Sequence, residues 1–272
     1  MHFSELQSLD DHRHVLGISG GKDSAALAVY IKDKYPEISE KMEYFFTDTG
    51  AELKEVYVFL DKLEAFLDKE IIRLSSGKPF EHWLKIHNDY LPSPRQRWCT
   101  RTMKIKPFEA FIKNDPVVSY IGIRADENRE GYISQKETIK PVFPFIEDGI
   151  MRGDVFNLLE KSVGVPEYYQ WRSRSGCYFC FFQRQGEWLG LKRNHPELFA
   201  KAREIEKTAG DGYTWVRGKN LDELVEHAEK REKEMGIIAT DRSSKLTRWQ
   251  EILEQEIDEE DDQDQACLIC SL

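Results

Sequence analysis

A glycine-rich hexapeptide near the amino terminus constrains the fold of this chain more than any other segment. Residues 19–24 read Ser-Gly-Gly-Lys-Asp-Ser and stand between an apolar run at 14–19 and an alanine-rich run that ends near Pro36. This order predicts a strand, a tight loop and a helix. Glycine lets the backbone approach a ligand, and unpaired amides at a helix start attract anions. The hexapeptide therefore predicts a phosphate-binding loop, with an ordinary glycine turn capped by Asp23 as the alternative.

Further apolar segments continue the alternation of strand and helix. We predict strands at 42–47, 70–74 and 116–122, and a helix at 52–67. Strands that alternate with helices of about a dozen residues indicate an α/β fold with a doubly wound parallel sheet. In such sheets ligands bind at the carboxyl ends of the strands. The hexapeptide and the polar segments 48–50 and 122–124 are therefore expected to face one crevice.

Beyond Pro144 the pattern changes to short helices. They are predicted at 154–161, with Asp154 as the cap, and at 187–192, 196–207 and 221–233. Eight carboxylates and no basic residue lie between Glu254 and Asp264, a composition typical of a mobile tail. The predicted division is a nucleotide-binding α/β domain at 1–160, a cysteine-containing, mostly helical part at 161–253, and an acidic tail at 254–272.

Charge and composition exclude few partners. The net charge is −10, but without the eight tail carboxylates the remainder carries −2, so basic patches for an acidic partner are not excluded. The sequence shows no apolar run of membrane-spanning length and no secretory leader pattern. We therefore expect a cytoplasmic location and no membrane partner. Five cysteines in such a chain favour metal or sulfur chemistry over a disulfide framework.

Four of the cysteines form two Cys-x-x-Cys pairs, Cys177 with Cys180 and Cys267 with Cys270. Thiolates at this spacing suit one metal ion or the edge of an iron–sulfur cluster. For the first pair, structural zinc and burial as small apolar side chains are the alternatives. The second pair follows the acidic tail, where a mobile thiol suits sulfur relay. Incidental cysteines at a disordered end are the alternative there.

The segment between 168 and 184 mixes aromatic and basic side chains. Such a mixture is typical of nucleic-acid binding surfaces. Packing of a small second domain, with the arginines balancing the charge of a cluster, explains the same composition. The residues concerned are Tyr168, Tyr169, Trp171, Arg172, Arg174 and Arg184.

The hexapeptide resembles the PP-loop of the ATP pyrophosphatase superfamily, whose members cleave ATP between the α- and β-phosphates. Later segments resemble, in order, the motifs of its branch similar to phosphoadenosine phosphosulfate (PAPS) reductases. Those segments are 46–50, 97–100 with Lys104 and Pro107, 122–129, 154–155, 168–169 and 176–177. The resemblance covers about residues 14–185, and Asn128 stands where serine is usual. It implies the adenine nucleotide α-hydrolase type of α/β fold.

The resemblance also implies roles for individual residues. Lys22, Asp23 and Cys99 would take part in catalysis, with Asp23 helping to hold Mg²⁺. Cys99, Cys177 and Cys180 would hold a [4Fe–4S] cluster, with zinc as the alternative, and Cys267 and Cys270 would relay sulfur. The residues implied in binding ATP are Ser19, Gly20, Gly21, Lys22, Asp23, Ser24, Asp48, Thr49, Gly122, Arg124 and Arg129.

The guanidinium group of arginine binds phosphate through two hydrogen bonds, which suits Arg124 and Arg129 for binding ATP. The alternative is surface ion pairing with neighbouring carboxylates, those of Asp126, Glu127 and Glu130.

The intact loop favours ATP, because PAPS has no β- and γ-phosphates to hold. Within the branch, the chain is most similar to DNA phosphorothioation proteins of the SspD and DndC type. This implies that ATP activates a DNA backbone phosphate for sulfur insertion, with a cysteine desulfurase as sulfur donor and other phosphorothioation proteins as partners. The alternatives are tRNA thiolation with tRNA as acceptor, sulfite release by a PAPS or adenosine phosphosulfate reductase, and a nucleotide sensor without turnover.

Overall fold

Five short runs rich in β-branched and aromatic residues build one sheet. A computed structural model of the chain describes residues 11–127, 136–210 and 212–235. The strands are β1 (Arg13–Gly17), β2 (Met42–Asp48), β3 (Ile71–Ser75), β4 (Val117–Tyr120) and β5 (Ile139–Val142). They are all parallel and lie in the order β3–β2–β1–β4–β5. The predicted α/β fold with a parallel sheet is confirmed.

Helices connect and cover these strands. The amino-terminal ones are α1 (Lys22–Lys34), α2 (Pro36–Lys41), α3 (Lys54–Leu67) and α4 (Phe80–Ile86). A continuous helical segment then comprises α5 (Trp98–Thr100), a π-helical turn (Arg101–Ile105) and α6 (Lys106–Ile112). The remaining helices are α7 (Pro144–Glu147), α8 (Arg152–Glu160), a 3₁₀ turn (Glu167–Gln170), α9 (Gln185–Asn194), α10 (Pro196–Thr208) and α11 (Leu221–Met235).

The sheet is buried on both faces. Val15 and Phe45 pack on one face against Phe108 of α6, whereas Leu16 and Tyr44 belong to the main core on the other face. Successive side chains of a strand point to opposite faces, so each strand serves both cores. Parallel sheets require such cover, which explains the continuous apolar runs in the sequence.

The main core continues into the carboxyl-terminal helices. Trp188 of α9 and Leu221 of α11 are fully buried in the same cluster as Leu27 of α1. Helices on both sides of the predicted domain boundary at residue 160 therefore share this core. No helix in the described residues is long and apolar enough to cross a membrane.

The sequence predicted some elements less well. β5 and α4 were missed, because four residues that include Pro141 give little strand signal and α4 is a single seven-residue segment. The prediction that Asp154 caps α8 from its first position is wrong. Asp154 lies inside the helix and accepts the backbone amide of Met151 at 2.9 Å, so it caps the helix from within its first turn.

The order of the strands reverses between β1 and β4. The chain moves from β1 to β2 and β3 on one side, and from β4 to β5 on the other. A crevice for ligands opens at the carboxyl ends of the two strands that flank such a reversal. The hexapeptide leaves β1 at this point, and Gly122 and Arg124 follow β4, so the topology places the segments side by side.

Two glycines permit the close packing at this point. Gly20 has a φ of +75°, and a Cβ atom there would lie 2.6 Å from Cγ1 of Val56 in α3. A Cβ atom at Gly122 would lie 3.0 Å from the carbonyl oxygen of Asp23. Glycine at these positions therefore lets the hexapeptide approach α3 and the end of β4 approach the start of α1.

Replacing Gly20 by alanine is expected to destabilise the protein by roughly 2–4 kcal/mol, because left-handed strain adds to overpacking against Val56. The matched control is Gly77→Ala, since Gly77 has a φ of +72° and open space around its Cα. The control should lose about 1 kcal/mol, from strain alone. Denaturant unfolding measures both values, and equal losses would contradict the importance of the Val56 contact.

Candidate functional site

The loop between β1 and α1 is closed by its own hydroxyl groups. The Ser24 hydroxyl accepts a hydrogen bond from the amide of Ser19 at 3.1 Å and donates one to the carbonyl of Gly21 at 3.3 Å. The Ser19 hydroxyl accepts the amide of Gly21 at 3.2 Å. These bonds hold residues 19–24 in a tight turn at the amino terminus of α1, the end of a helix whose dipole attracts anions.

Asp23 joins two cations at this loop. Its Oδ2 atom lies 2.8 Å from Nζ of Lys22, and its Oδ1 atom lies 2.8 Å from Nη1 of Arg124. Burial alone would raise the pKa of Asp23, but the charges of Lys22 and Arg124 outweigh it and lower this pKa to about 2. Burial lowers the pKa of Lys22, Asp23 opposes this effect, and Arg124 and Arg152 add to it. The loop thus holds a compact group of interacting charges.

Arg124 makes further ion pairs. Its Nε atom lies 2.9 Å from Oδ1 of Asp126, and its Nη1 atom lies 2.5 Å from Oε1 of Glu127. The pairing that was expected as the alternative is therefore present, but only 11% of the Arg124 side chain is exposed and it lies against the hexapeptide. Arg129, the other arginine predicted here, lies outside the described residues.

The end of β2 carries a second polar group. The Asp48 carboxylate accepts the amide of Gly50 at 2.8 Å and the hydroxyl of Tyr57 at 2.9 Å. Thr49 donates to Oε1 of Glu52 at 2.7 Å. Burial raises the pKa of Glu52, while Lys104 and the bond from Thr49 oppose this shift. Glu52 was not singled out from the sequence, where the signal was only its place two residues after Gly50.

Cys177 lies in this polar group. Its Sγ atom is 3.1 Å from Oγ1 of Thr49 and 3.8 Å from Oε1 of Glu52. Burial and the charge of Glu52 raise the pKa of Cys177, so the group is a neutral thiol at physiological pH. The amide of Cys180 donates to the Cys177 carbonyl at 3.1 Å, which makes the Cys-x-x-Cys segment a turn.

The predicted metal or cluster ligands are not brought together by the described residues. In the described ranges, no group of three or more histidine, cysteine, aspartate or glutamate side chains is arranged to hold a metal ion. The described residues therefore do not fit a site shared by Cys99, Cys177 and Cys180, and the cluster stays a prediction. Cys267 and Cys270 lie outside the described residues.

The π-helical turn brings a cation to the same polar group. Lys104 lies in this turn, and its charge partly offsets the effect of burial, which raises the pKa values of Glu52 and Cys177. Such turns are frequent at functional sites. Cys99 is partly buried five residues earlier, in α5. The segment that carries Cys99 and Lys104 thus borders the end of β2.

Two tyrosines from the carboxyl-terminal part contact the hexapeptide. The Tyr168 hydroxyl donates to the carbonyl of Gly20, and the Tyr169 hydroxyl accepts the amide of Lys22 at 2.9 Å. Only 1% of Tyr168 and 6% of Tyr169 is exposed. Their rings are therefore packed inside the protein, as the packing alternative expects, and are not displayed to nucleic acid.

Arg172 is buried as well. It is 2% exposed and donates to the carbonyls of Gly176 at 3.1 Å and Cys177 at 2.7 Å. A buried guanidinium that bonds two successive carbonyls fixes the backbone around it. Arg172 therefore positions the turn that carries Cys177.

The ion pairs of Asp23 predict a specific dependence of stability on pH. Because folding lowers the pKa of Asp23 from 3.8 to about 2, its stabilisation is present above about pH 4 and is lost as the pH falls through 2. The difference in unfolding free energy between the wild type and Asp23→Asn should therefore decrease by about 2 kcal/mol when the pH is lowered from 5 to 2. Urea unfolding at both pH values measures this difference. The control is Asp61→Asn, because the side chain of Asp61 is 73% exposed. Equal pH dependence of the unfolding free energy in the wild type and in Asp23→Asn would contradict the prediction.

Comparisons with known proteins agree with this fold. Residues 13–146 match the family described as the phosphoadenosine phosphosulfate reductase domain. The crystal structure of PAPS reductase from Candida auris superposes with a TM-score of 0.50 at 15% sequence identity, covering 64% of this chain and 85% of that chain.

Two curated relatives come from Methanocaldococcus jannaschii, the uncharacterized proteins MJ0066 and MJ0973. Each is 28% identical to this chain, over 221 and 235 residues, or 75% and 78% of it. The alignments cover 44% and 55% of the relatives, so the chain spans about half of their length. Residues 13–146 are thus similar in sequence to the phosphoadenosine phosphosulfate reductase domain, and the fold is similar to that of a PAPS reductase.

Proposed function

We propose that this protein is an ATP pyrophosphatase, which converts ATP to AMP and pyrophosphate and thereby activates an acceptor for sulfur insertion. The observation that carries the proposal is the loop of residues 19–24, which presents the amino terminus of α1 and Lys22 beside Arg124. Cleavage between the α- and β-phosphates releases a strongly anionic pyrophosphate. Amides, an ammonium and a guanidinium fixed in place stabilise such a leaving group.

Each charged residue has a distinct part in the proposed reaction. Lys22 places its ammonium against the leaving pyrophosphate, and Asp23 holds Lys22 and Arg124 at the loop. Arg124 would bind the phosphates through its planar guanidinium group. In doing so it would give up its ion pairs with Asp126 and Glu127. This exchange costs little free energy, because a carboxylate oxygen and a phosphate oxygen make similar hydrogen bonds to a guanidinium group.

ATP enters such a reaction with Mg²⁺, which binds through one or two carboxylates and the phosphates themselves. Asp23 is the carboxylate of the loop that would hold Mg²⁺, and to do so it would release one of its two present partners, Lys22 or Arg124. Bound there, Mg²⁺ would neutralise charge on the phosphates.

A DNA backbone phosphate is the proposed acceptor, on the basis of the resemblance to phosphorothioation proteins, and tRNA is the alternative. A phosphate oxygen attacks the α-phosphorus of ATP, and pyrophosphate leaves. A sulfur nucleophile supplied by a cysteine desulfurase partner then attacks the acceptor phosphorus, and AMP leaves. Adenylation is required because the oxygen of a phosphate diester is otherwise a poor leaving group. Cys99 and the tail cysteines are the candidate sulfur carriers.

A second candidate function is sulfonucleotide reduction with release of sulfite. The match of residues 13–146 to the PAPS reductase domain favours it. The two functions differ in substrate, since only the first needs β- and γ-phosphates.

The test is product analysis of α-labelled ATP with Mg²⁺ and protein purified without oxygen. We expect AMP and pyrophosphate, with kcat lowered roughly 100-fold in Lys22→Gln, because one charged donor to the leaving group is lost. The matched control is Lys34→Gln, at the other end of α1, where Lys34 pairs with Asp148. Its rate should stay within about twofold of the wild type, as is usual for substitutions away from a site.

Formation of ADP and phosphate would overturn the proposed chemistry. Sulfite release from PAPS without turnover of ATP would establish the second candidate function instead.

A further inference from the structure

Three hydroxyl groups converge over Gly21 in the hexapeptide. A Cβ atom at Gly21 would lie 2.8 Å from Oγ of Ser175, 3.1 Å from Oγ of Ser19 and 3.3 Å from the hydroxyl oxygen of Tyr169. Ser19 belongs to the hexapeptide, whereas Tyr169 and Ser175 belong to residues 168–177, here named the crossing segment. The crossing segment lies beyond the matched domain at 13–146.

The Tyr169 hydroxyl occupies a particular position. It accepts a hydrogen bond of 2.9 Å from the amide of Lys22, the first residue of α1. Gly21, which precedes it, has no side chain that could cap this amide. A tyrosine hydroxyl that accepts one bond still has its own proton to donate. A hydrogen bond with the Tyr168 side chain lowers the pKa of Tyr169, and an anionic oxygen at the loop would compete with Tyr168 for this hydroxyl. The ammonium of Lys22 lies 5.6 Å from the centre of the Tyr169 ring.

The surroundings keep this hydroxyl a neutral donor. Burial raises the pKa of Tyr169, and the charge of Asp23 adds to this effect, so the proton is retained at physiological pH. Ser175 is 8% exposed, and its hydroxyl donates to Oγ of Ser19 across 3.4 Å. This bond is long for two hydroxyl groups, so its exchange for a phosphate oxygen costs little.

We propose that Tyr169, with Ser175 beside it, is a phosphate ligand of the nucleotide site. Tyr169 accepts the Lys22 amide and donates its own proton to an oxygen of the pyrophosphate part of the nucleotide. Hydrogen bonds to an anionic oxygen are about twice as strong as neutral ones, and the donated amide polarises the hydroxyl further. The inference rests on the proposed function to the extent that phosphate occupies the loop. It adds that the crossing segment completes the phosphate site.

The test measures binding of pyrophosphate, ATP and AMP by calorimetry, with no turnover required. Tyr169→Phe should weaken the binding of pyrophosphate and ATP by roughly 10- to 100-fold, as expected for a lost bond to a charged group. The affinity for AMP, which lacks the β- and γ-phosphates, should change less than about threefold. Ser175→Ala should weaken pyrophosphate binding in the same direction and by less.

The matched control is Tyr44→Phe. Tyr44 is buried in β2, and its hydroxyl contacts only Ser39, at 3.4 Å, among the described residues. This variant should bind all three compounds as the wild type does. Thermal unfolding without ligand shows that each variant is folded, and Ser175→Ala provides the test if Tyr169→Phe is not.

Unchanged or tighter pyrophosphate binding by Tyr169→Phe would overturn the inference, because the hydroxyl would then only cap the amide of Lys22. An equal loss for AMP would overturn it too, since it would indicate a general disturbance. Wild-type protein that binds pyrophosphate but never cleaves ATP would remove the proposed function and leave this inference standing. Wild-type protein that binds no pyrophosphate would remove both.

Discussion

The paired carboxylate of Asp23 is the interaction on which the rest of the site depends. It links Lys22 at the start of α1 to Arg124 after β4, each at 2.8 Å, and so ties together the two segments that leave the sheet at its reversal. Two partly buried cations without this anion would repel each other and be poorly solvated. The ion pairs therefore fix both the position of the loop and the charge that the crevice presents.

The proposed affinity of the loop for an anionic ligand depends on an exchange of carboxylate partners. Lys22, Arg124 and Arg152 all act on the same small volume, where Asp23 is the central anion. Asp126 and Glu127 also form ion pairs with Arg124. A phosphate that replaces these carboxylates keeps the guanidinium satisfied and adds charge next to Lys22. In the proposed function, affinity for phosphate would thus arise from cations that the fold has already desolvated and oriented.

Local and long-range features of the site differed in how far the sequence predicted them. The hexapeptide was predictable because a strand, two glycines and a helix start are adjacent in the chain. The role of Tyr169 was not, because its contact with Lys22 joins residues 147 positions apart and no local pattern records it. Cys177 shows a related limit. Its spacing to Cys180 predicts a metal ligand, whereas its burial beside Glu52, which raises the pKa of the thiol, depends on the fold and has no signal in the sequence.

The two parts of the chain would contribute different kinds of donor to a bound phosphate. The domain at 13–146 supplies charge, through Lys22 and Arg124, whereas the crossing segment supplies neutral hydroxyls, through Tyr169 and Ser175. A further cation at Tyr169 would need a carboxylate to balance it beside Lys22, and that carboxylate would compete with the ligand. A buried hydroxyl donates a directed bond without adding charge. In the proposed site, the charges would attract the phosphate to the loop, and the hydroxyl groups of the crossing segment would orient it.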